Sequence, residues 1–495
     1  MKKTITKFDW LAAQQCLGMA WYAFRADPSP PDDAERFRME QGQEVGALAR
    51  TLYPDGVLVP PGTVERAAGI TRRCIADSVN TIFEAAFDAA PFVTRADILK
   101  RLDGGWHVME VKSSFSDTSS VADLVDDLAY TVMVLRRSEL RIVKASLLLL
   151  SRDYRFGDGP DRLFEVVDKT PEVLARVAAF NAIADSYARA LFDEQPPAPR
   201  LTSVCRDCAV FGDECLGAGL AHTVLEIPSL HYKNFQQLAA QGIVDMSRVP
   251  DDLKLNERQQ RVVKSAASGE LCVEADLGAA LEAIVWACYY LDFETAATVL
   301  PLCVGQGCHQ QVLTQFSIHH WDRIGGELHH TEFLADATRD CQRDLAETLI
   351  RDLGQHGSII VYTSFEKTRI TALQGLFPDL AQPLQSILNR LVDLHPIIAD
   401  HVYHPDFRGS FSIKKVLPAL VSDLSYEGLP IRDGEMAVTQ FARMARGEIV
   451  GDDIETTRRQ LLEYCKVDTL AMVRLHEKLL ELASSTHRVV GGASN

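Results

Sequence analysis

The sequence predicts an α/β protein of two domains, and three observations carry that prediction. The chain has 495 residues, more than one hydrophobic core usually organises. A strand–turn–strand pattern near residues 92–114 sits among helical patterns, and a second strand-bearing region opens near residue 284. Between them the composition breaks, first at a Pro-rich stretch and then at a run of cysteines. The expected division is a first domain over 1–220, a helical connector over 221–283, a second domain over 284–486 and a tail over 487–495, frayed from Gly491.

Bulk composition narrows the class. Hydrophobic residues make up 47%, charged residues 24%, and mean hydropathy is −0.04, values ordinary for a soluble globular chain. No apolar run approaches a membrane span, and Met1-Lys2-Lys3-Thr4 lacks the apolar stretch of a signal peptide, so a cytoplasmic location is expected. In that compartment the eleven cysteines read as thiols or metal ligands rather than disulfides. The formal net charge of −17 argues against holding nucleic acid by bulk charge. It is compatible with an acidic enzyme carrying a local basic groove, because carboxylates clustered around divalent cations also push the total negative. There is no internal repeat and no nucleotide-binding P-loop.

In the first domain, 92–99 reads as a strand, Leu102-Asp103-Gly104-Gly105 as a turn, and 106–114 as the returning strand. Glu110 and Lys112 share a face of that strand because side chains alternate with period two. Asp97 comes from the partner strand, so two carboxylates and a lysine can meet. Such carboxylates hold Mg²⁺ or Mn²⁺, and the lysine can orient water or stabilise developing charge. An Asp followed by a turn and Glu110-Val111-Lys112-Ser113-Ser114 resembles the RecB-type PD-(D/E)XK nucleases, including the CRISPR-associated iron–sulfur exonucleases. The resemblance implies a restriction-endonuclease-like fold, Asp97 and Glu110 as metal ligands, and Lys112 as the catalytic lysine. Glu84, in Phe83-Glu84-Ala85, is expected on an adjacent strand in a structural role. Relatives carry a metal-binding His after a glycine on an early helix. The comparable stretch here is Gly42-Gln43-Glu44-Val45-Gly46, where Glu44 is the candidate substitute. The Q-x-x-x-Y helix of relatives corresponds to 127–133, with Thr131 and Met133 in the motif positions.

A long helix is expected from Thr170-Pro171, a cap residue followed by Pro in the first turn, and it ends in the Pro-rich stretch 193–199. Cys205 and Cys208, then Cys215, follow with ligand-like spacing, and three thiolates leave a four-ligand site one short. Cys16 is the natural fourth. The same iron–sulfur nucleases place one cysteine near the start and three after the nuclease core, closing the domain. Four thiolates suit a 4Fe–4S cluster or Zn²⁺, and the resemblance favours 4Fe–4S. The other seven cysteines show no ligand grouping and read as buried apolar residues. The stretch 227–255 reads as short helix, turn, short helix.

In the second domain, 287–295 reads as a strand ending in Asp292-Phe293-Glu294, and 311–318 as the next strand. Residues 358–362 read as a buried strand running into Thr363-Ser364-Phe365-Glu366, and 453–482 as a periodic helix. On that helix Tyr464 and Asp468 lie four apart and share a face. This order resembles the DEDD exonucleases of the RNase H-like fold, whose pattern is D-x-E, a later acidic residue after an aromatic, then Y-x-x-x-D. The resemblance implies metal ligation by Asp292, Glu294, Glu366 (where Asp is usual) and Asp468, with Tyr464 positioning the attacking water. Asp393 is an accessory candidate.

Lys367, Arg369, Arg390, Arg408, Lys414 and Lys415 lie close in sequence to the second centre, and Arg136, Arg137, Arg141, Lys144, Arg152 and Arg155 to the first. His401, Tyr403, His404 and Phe407 are candidates for stacking on bases. The joint reading is a Mg²⁺- or Mn²⁺-dependent exonuclease acting on single strands or ends of DNA, in repair, CRISPR adaptation or phage defence. Lacking a P-loop, it would need a helicase partner for unwinding. The rival expectations are a nucleic-acid-binding adaptor with inactive centres and an RNA-processing exonuclease.

Overall fold

The computed structural model describes residues 4–27 and 29–491, with side chains to residue 485. The chain divides into two compact units: Met1–Arg200 with Asp207–Val210 and Thr298–Gln310, and Leu201–Arg206 with Phe211–Ala297 and Gln311–Asn495. Among the described residues, no helix is long and apolar enough to cross a membrane.

The first unit runs α1 (Lys7–Gln15), α2 (Leu17–Arg25), α3 (Asp33–Arg50), β1 (Val57–Leu58), α4 (Val64–Ala76), β2 (Thr81–Ala89), β3 (Phe92–Leu102), β4 (Gly105–Val111), α5 (Val121–Arg137), β5 (Ile142–Leu150), β6 (Phe164–Asp168) and α6 (Thr170–Phe192). Its six strands form one mixed sheet in chain order. β2, β3 and β4 are an antiparallel meander, β4 and β5 are parallel, and β6 returns antiparallel. Parallel neighbours need a crossover, and α5 supplies it. The Asp103-Gly104 turn joins β3 to β4 with Gly104 at φ 80°, a conformation that favours glycine. A side chain at Gly105 would come within 2.5 Å of the Arg141 carbonyl oxygen, so the strand can start there only with glycine.

The apolar side chains of α5 are buried along both of its flanks, with Leu128, Tyr130 and Val132 fully enclosed. Trp10 anchors this core, its ring edge-on to Phe92 at 5.8 Å and to Phe180 at 5.1 Å. The Tyr130 hydroxyl lies 2.7 Å from the Ile5 carbonyl oxygen and 3.0 Å from that of Val93, tying the chain's opening to β3. Thr298–Gln310, which connects two later strands, belongs to this unit: Leu300 and Cys308 pack with Val45, Leu150 and Leu163, and Val299 N–H donates to Gln41 Oε1 at 2.7 Å.

The second unit runs α7 (Tyr232–Ala240), α8 (Glu257–Ser268), β7 (Cys272–Val273), α9 (Leu277–Leu281), β8 (Cys288–Ala296), β9 (Val312–Trp321), β10 (Leu328–Leu334), α10 (Gln342–Asp352), β11 (Ser358–Val361), α11 (Phe365–Leu376), α12 (Ala381–Leu388), β12 (Leu391–Asp393), α13 (Leu394–His401), β13 (Val402–Tyr403), α14 (Ile413–Leu420), α15 (Gly434–Ala445) and α16 (Asp452–Gly491). Five strands form a mixed sheet in the order β10-β9-β8-β11-β12. β8, β9 and β10 are antiparallel, while β8, β11 and β12 are parallel. Period-two alternation sorts β8 between two cores. Leu291 and Phe293 pack with Leu345, Leu349 and Ile370 on one face, and Cys288 and Tyr290 pack with Ala471 and Leu475 of α16 on the other.

The segment expected as a connector is built into this second core. Val224, Ile227, Leu238, Met246 and Val262 belong to the same apolar cluster as Tyr290 and Leu475. The tail expected from 487 is still helix through Gly491, and 492–495 lie outside the described residues, as do Met1-Lys2-Lys3.

Candidate functional site

The two carboxylate centres lie in separate units, and each is built by strand register plus a helix. In the first, Ile98 pairs with Met109, so Asp97 and Glu110 are the next residues along on neighbouring strands. Asp97 Oδ2 accepts the Val111 N–H at 2.8 Å. Lys112, just past β4, ion-pairs with Glu110 Oε1 at 3.2 Å and with Asp127 of α5. Lys7, at the start of α1, lies 2.6 Å from Glu110 Oε1 and 2.6 Å from Asp127 Oδ1. Glu110 is 2% exposed, and its Oε2 has no hydrogen-bond partner. Burial first, and the Glu110 charge second, push the Asp97 carboxyl up to about 8.

Asp97, Glu110 and Lys112 therefore come together, and Lys7 and Asp127 join them. Asp127 lies in the helical stretch 127–133, one turn before Thr131, and matches no motif position. Thr131 and Met133 are fully buried in the core. Lys7 gave no sequence signal. Glu84 lies on β2 at φ 53°, close enough to Glu110 and Lys7 to feel their charges, and burial raises its pKa. Glu44 sits exposed on α3.

In the second centre, Asp292 and Glu294 share the α16 face of β8, opposite Ser317 and Gln315 of β9. Asp468 reaches them from α16, and one carboxylate oxygen from each of the three lies within 4.8 Å of the others. Among the described residues this is the one set of three acidic, His or Cys side chains so gathered. Glu366 stands in the first turn of α11, one short turn beyond the end of β11. It is 2% exposed, and its Oε2 has no hydrogen-bond partner.

The electrostatics follow from crowding. Burial, then repulsion from Asp468, raises the Glu294 carboxyl to about 8. Burial raises Glu366 to about 8, with the Asp393 and Asp468 charges adding to it. Asp292 is pushed well above the usual carboxylate range by burial and by Asp468. Asp468 rises only to about 6, because the Tyr426 hydroxyl donates to its Oδ1 at 2.6 Å and Lys414 lies near. Lys414 Nζ donates to the Tyr464 hydroxyl at 3.2 Å and to the Arg432 carbonyl at 2.9 Å. Cys465, read as an ordinary buried cysteine, donates from Sγ to Asp292 Oδ2 at 3.4 Å. Tyr426, Cys465 and the role of Lys414 were not visible in the sequence pattern, because they depend on what folds over α16.

Asp393 takes a structural role. Its Oδ1 accepts the N–H groups of Thr363 (2.9 Å) and His395 (2.8 Å), capping α13. Of the proposed stacking residues, Tyr403 and Phe407 are fully buried and cannot meet a base. The Arg390 guanidinium is spent on backbone carbonyls, including Gly357 at 2.7 Å and Gly354 at 2.8 Å.

Of the four grouped cysteines, Cys16 and Cys208 fall in the first unit, and Cys205 and Cys215 in the second. Cys16 Sγ accepts the Met19 N–H at 3.5 Å, and Cys205 Sγ accepts the Thr202 N–H at 3.4 Å.

Residues 289–412 match a family described as a domain of unknown function, DUF2779. The match contains Asp292, Glu294 and Glu366 and ends before Tyr426, Tyr464 and Asp468. No curated protein and no solved structure matches the chain.

Proposed function

We propose that the protein is a divalent-cation-dependent nuclease whose principal centre is Asp292, Glu294, Glu366 and Asp468. The observation that carries this reading is the gathering of three carboxylates within 4.8 Å, with a fourth, buried carboxylate beside them keeping an unpartnered oxygen. Four acids so crowded repel one another, and a cation of charge two relieves that repulsion. The donor set is all oxygen, which suits Mg²⁺ or Mn²⁺. The strand order, with an antiparallel meander followed by two parallel strands, supports an RNase H-like reading of this unit. The meander, crossover and return of the first unit support a PD-(D/E)XK reading.

When bound, the metal would supply Lewis acidity and an activated water for phosphodiester hydrolysis. The chain's own groups do the rest. Tyr426 fixes the Asp468 carboxylate, Cys465 fixes Asp292, and Lys414 holds the Tyr464 hydroxyl while presenting positive charge to a phosphate. The preferred substrate is DNA with free ends or single-stranded character, and the setting is cytoplasmic, in repair, CRISPR adaptation or phage defence alongside helicase or defence partners. Cys16, Cys205, Cys208 and Cys215 are proposed as thiolate ligands of a 4Fe–4S cluster. The N–H donors to the Cys16 and Cys205 sulfurs are of the kind that stabilise such thiolates.

The test is digestion of end-labelled single-stranded DNA and RNA by anaerobically purified protein, after chelation and after restoring Mg²⁺ or Mn²⁺. Cation-restored shortening of the DNA supports the reading. Shortening of RNA alone moves it to RNA processing. No cleavage of either polymer by folded protein moves it to a nucleic-acid-binding adaptor. An absorption band near ~400 nm on the same sample reports the cluster.

A further inference from the structure

The two centres differ in how their carboxylates are neutralised. In the second, Lys414 is the ammonium whose charge reaches Glu294 and Asp468, and it makes no ion pair with them among the described residues. In the first, Lys7 and Lys112 both ion-pair directly with Glu110 and Asp127, beside Asp97 and Glu84. Lys7 makes the difference. Its Nζ lies 2.6 Å from Glu110 Oε1 and 2.6 Å from Asp127 Oδ1, bridging the two acids as a metal ion would.

The backbone fixes that placement. Ile5 pairs with Phe92 at the start of β3, its N–H donating to the Pro91 carbonyl at 2.7 Å and its carbonyl accepting the Val93 N–H at 3.0 Å. Thr6 and Asp9 then form a reciprocal capping box, so α1 begins at Lys7. The side chain leaves the first helical position directly toward β4 and α5.

We propose that Lys7 is the resident counter-ion of the first centre and sets the order of metal loading. The second centre takes a divalent cation first. The first takes one only when Lys7 is withdrawn, using Asp97 and the otherwise unpartnered Glu110 Oε2. A divalent ion entering with Lys7 in place meets two ammoniums at close range, a repulsion that outweighs the gain from the remaining oxygens. The inference rests on the nuclease reading only in taking Asp97 and Glu110 as a cation-binding pair, and its readout is binding rather than cleavage.

The experiment titrates Mn²⁺ into the full-length protein carrying Asp292→Asn with Glu294→Gln, which removes both β8 carboxylates of the second centre, and follows the free ion by electron paramagnetic resonance. With Lys7 intact, only weak binding is expected. Lys7→Gln should add one site per chain, at least about tenfold tighter. Lys7→Arg, which keeps the charge, should match the parent. Equal binding by the Gln variant and the parent, with both folded by circular dichroism, overturns the proposal. So does tight binding in the Lys7-intact chain that Glu110→Gln abolishes, a result needing no change at Lys7. Failure to cleave any polymer would sink the nuclease reading and leave both binding outcomes decisive.

Discussion

Cation binding at the second centre should release protons, and their number follows from the carboxylates. Glu294 and Glu366 are each raised to about 8 by burial and neighbouring acids. At pH 7 the metal-free chain therefore keeps protons on these carboxyls. A cation must displace both protons to use both carboxylates, so about two are released per ion, and Asp292, raised by the same crowding, adds to them. Each proton contributes about tenfold in affinity per pH unit, so Mn²⁺ should bind at least about a hundredfold more tightly at pH 7 than at pH 6. Isothermal titration calorimetry in buffers of differing ionisation enthalpy reads the number directly, as the slope of observed enthalpy against buffer enthalpy. A slope of at least about two is expected. A slope near zero would mean that these carboxylates are already ionised without metal, and the electrostatic reasoning would fall.

Three other outcomes follow from the same geometry. Because the folded-state pKa values of Glu294 and Glu366 lie above their unfolded values, these two carboxyls hold protons in the metal-free folded chain that they lose on unfolding between about pH 4.5 and 8, while His107, His319, His330 and His476, lowered by burial, act in the opposite sense below about pH 6.5. The carboxyl contribution to stability should therefore fall as pH rises from about 6.5 to 8, and Asp292→Asn should recover on the order of 1 kcal/mol at pH 8 in urea unfolding without metal while losing the stabilisation by Mn²⁺. Lys414→Met removes the ammonium whose charge reaches Glu294 and Asp468, so Mn²⁺ should bind about tenfold tighter while single-turnover cleavage slows. Tighter binding with unchanged cleavage would reduce Lys414 to a charge neutraliser. Tyr130→Phe deletes the hydroxyl joining Ile5 to Val93 and should cost about 1–2 kcal/mol in chemical denaturation.

The sequence was most legible where side-chain placement follows from strand periodicity. Asp97, Glu110 and Lys112 follow from an Asp-Gly turn between alternating strands, and Asp292 with Glu294 from the same alternation. Tyr464 and Asp468 share a helix face by spacing four, and that helix packs on the face of β8 that carries the acids. What stayed hidden depends on tertiary approach. Lys7 is separated from Glu110 by 103 positions, and Tyr426 from Asp468 by 42, so no local pattern marks either pair. The stacking candidates Tyr403 and Phe407 misled because an aromatic cluster reads alike whether it faces solvent or, as here, packs inward with Phe411. The connector misled for a related reason. Its short helices look independent in sequence, yet Val224, Leu238 and Val262 supply apolar surface to the α16 side of the second sheet.

The measurement that tests the central claim most directly is Mn²⁺-dependent cleavage of one end-labelled single-stranded DNA by three full-length proteins: wild type, Asp292→Asn with Glu294→Gln, and Lys112→Ala. Stepwise shortening by the wild type and by Lys112→Ala, with none by the double variant, is the result expected if the second centre performs the chemistry. Undiminished shortening by the double variant would contradict the account and move the chemistry away from β8.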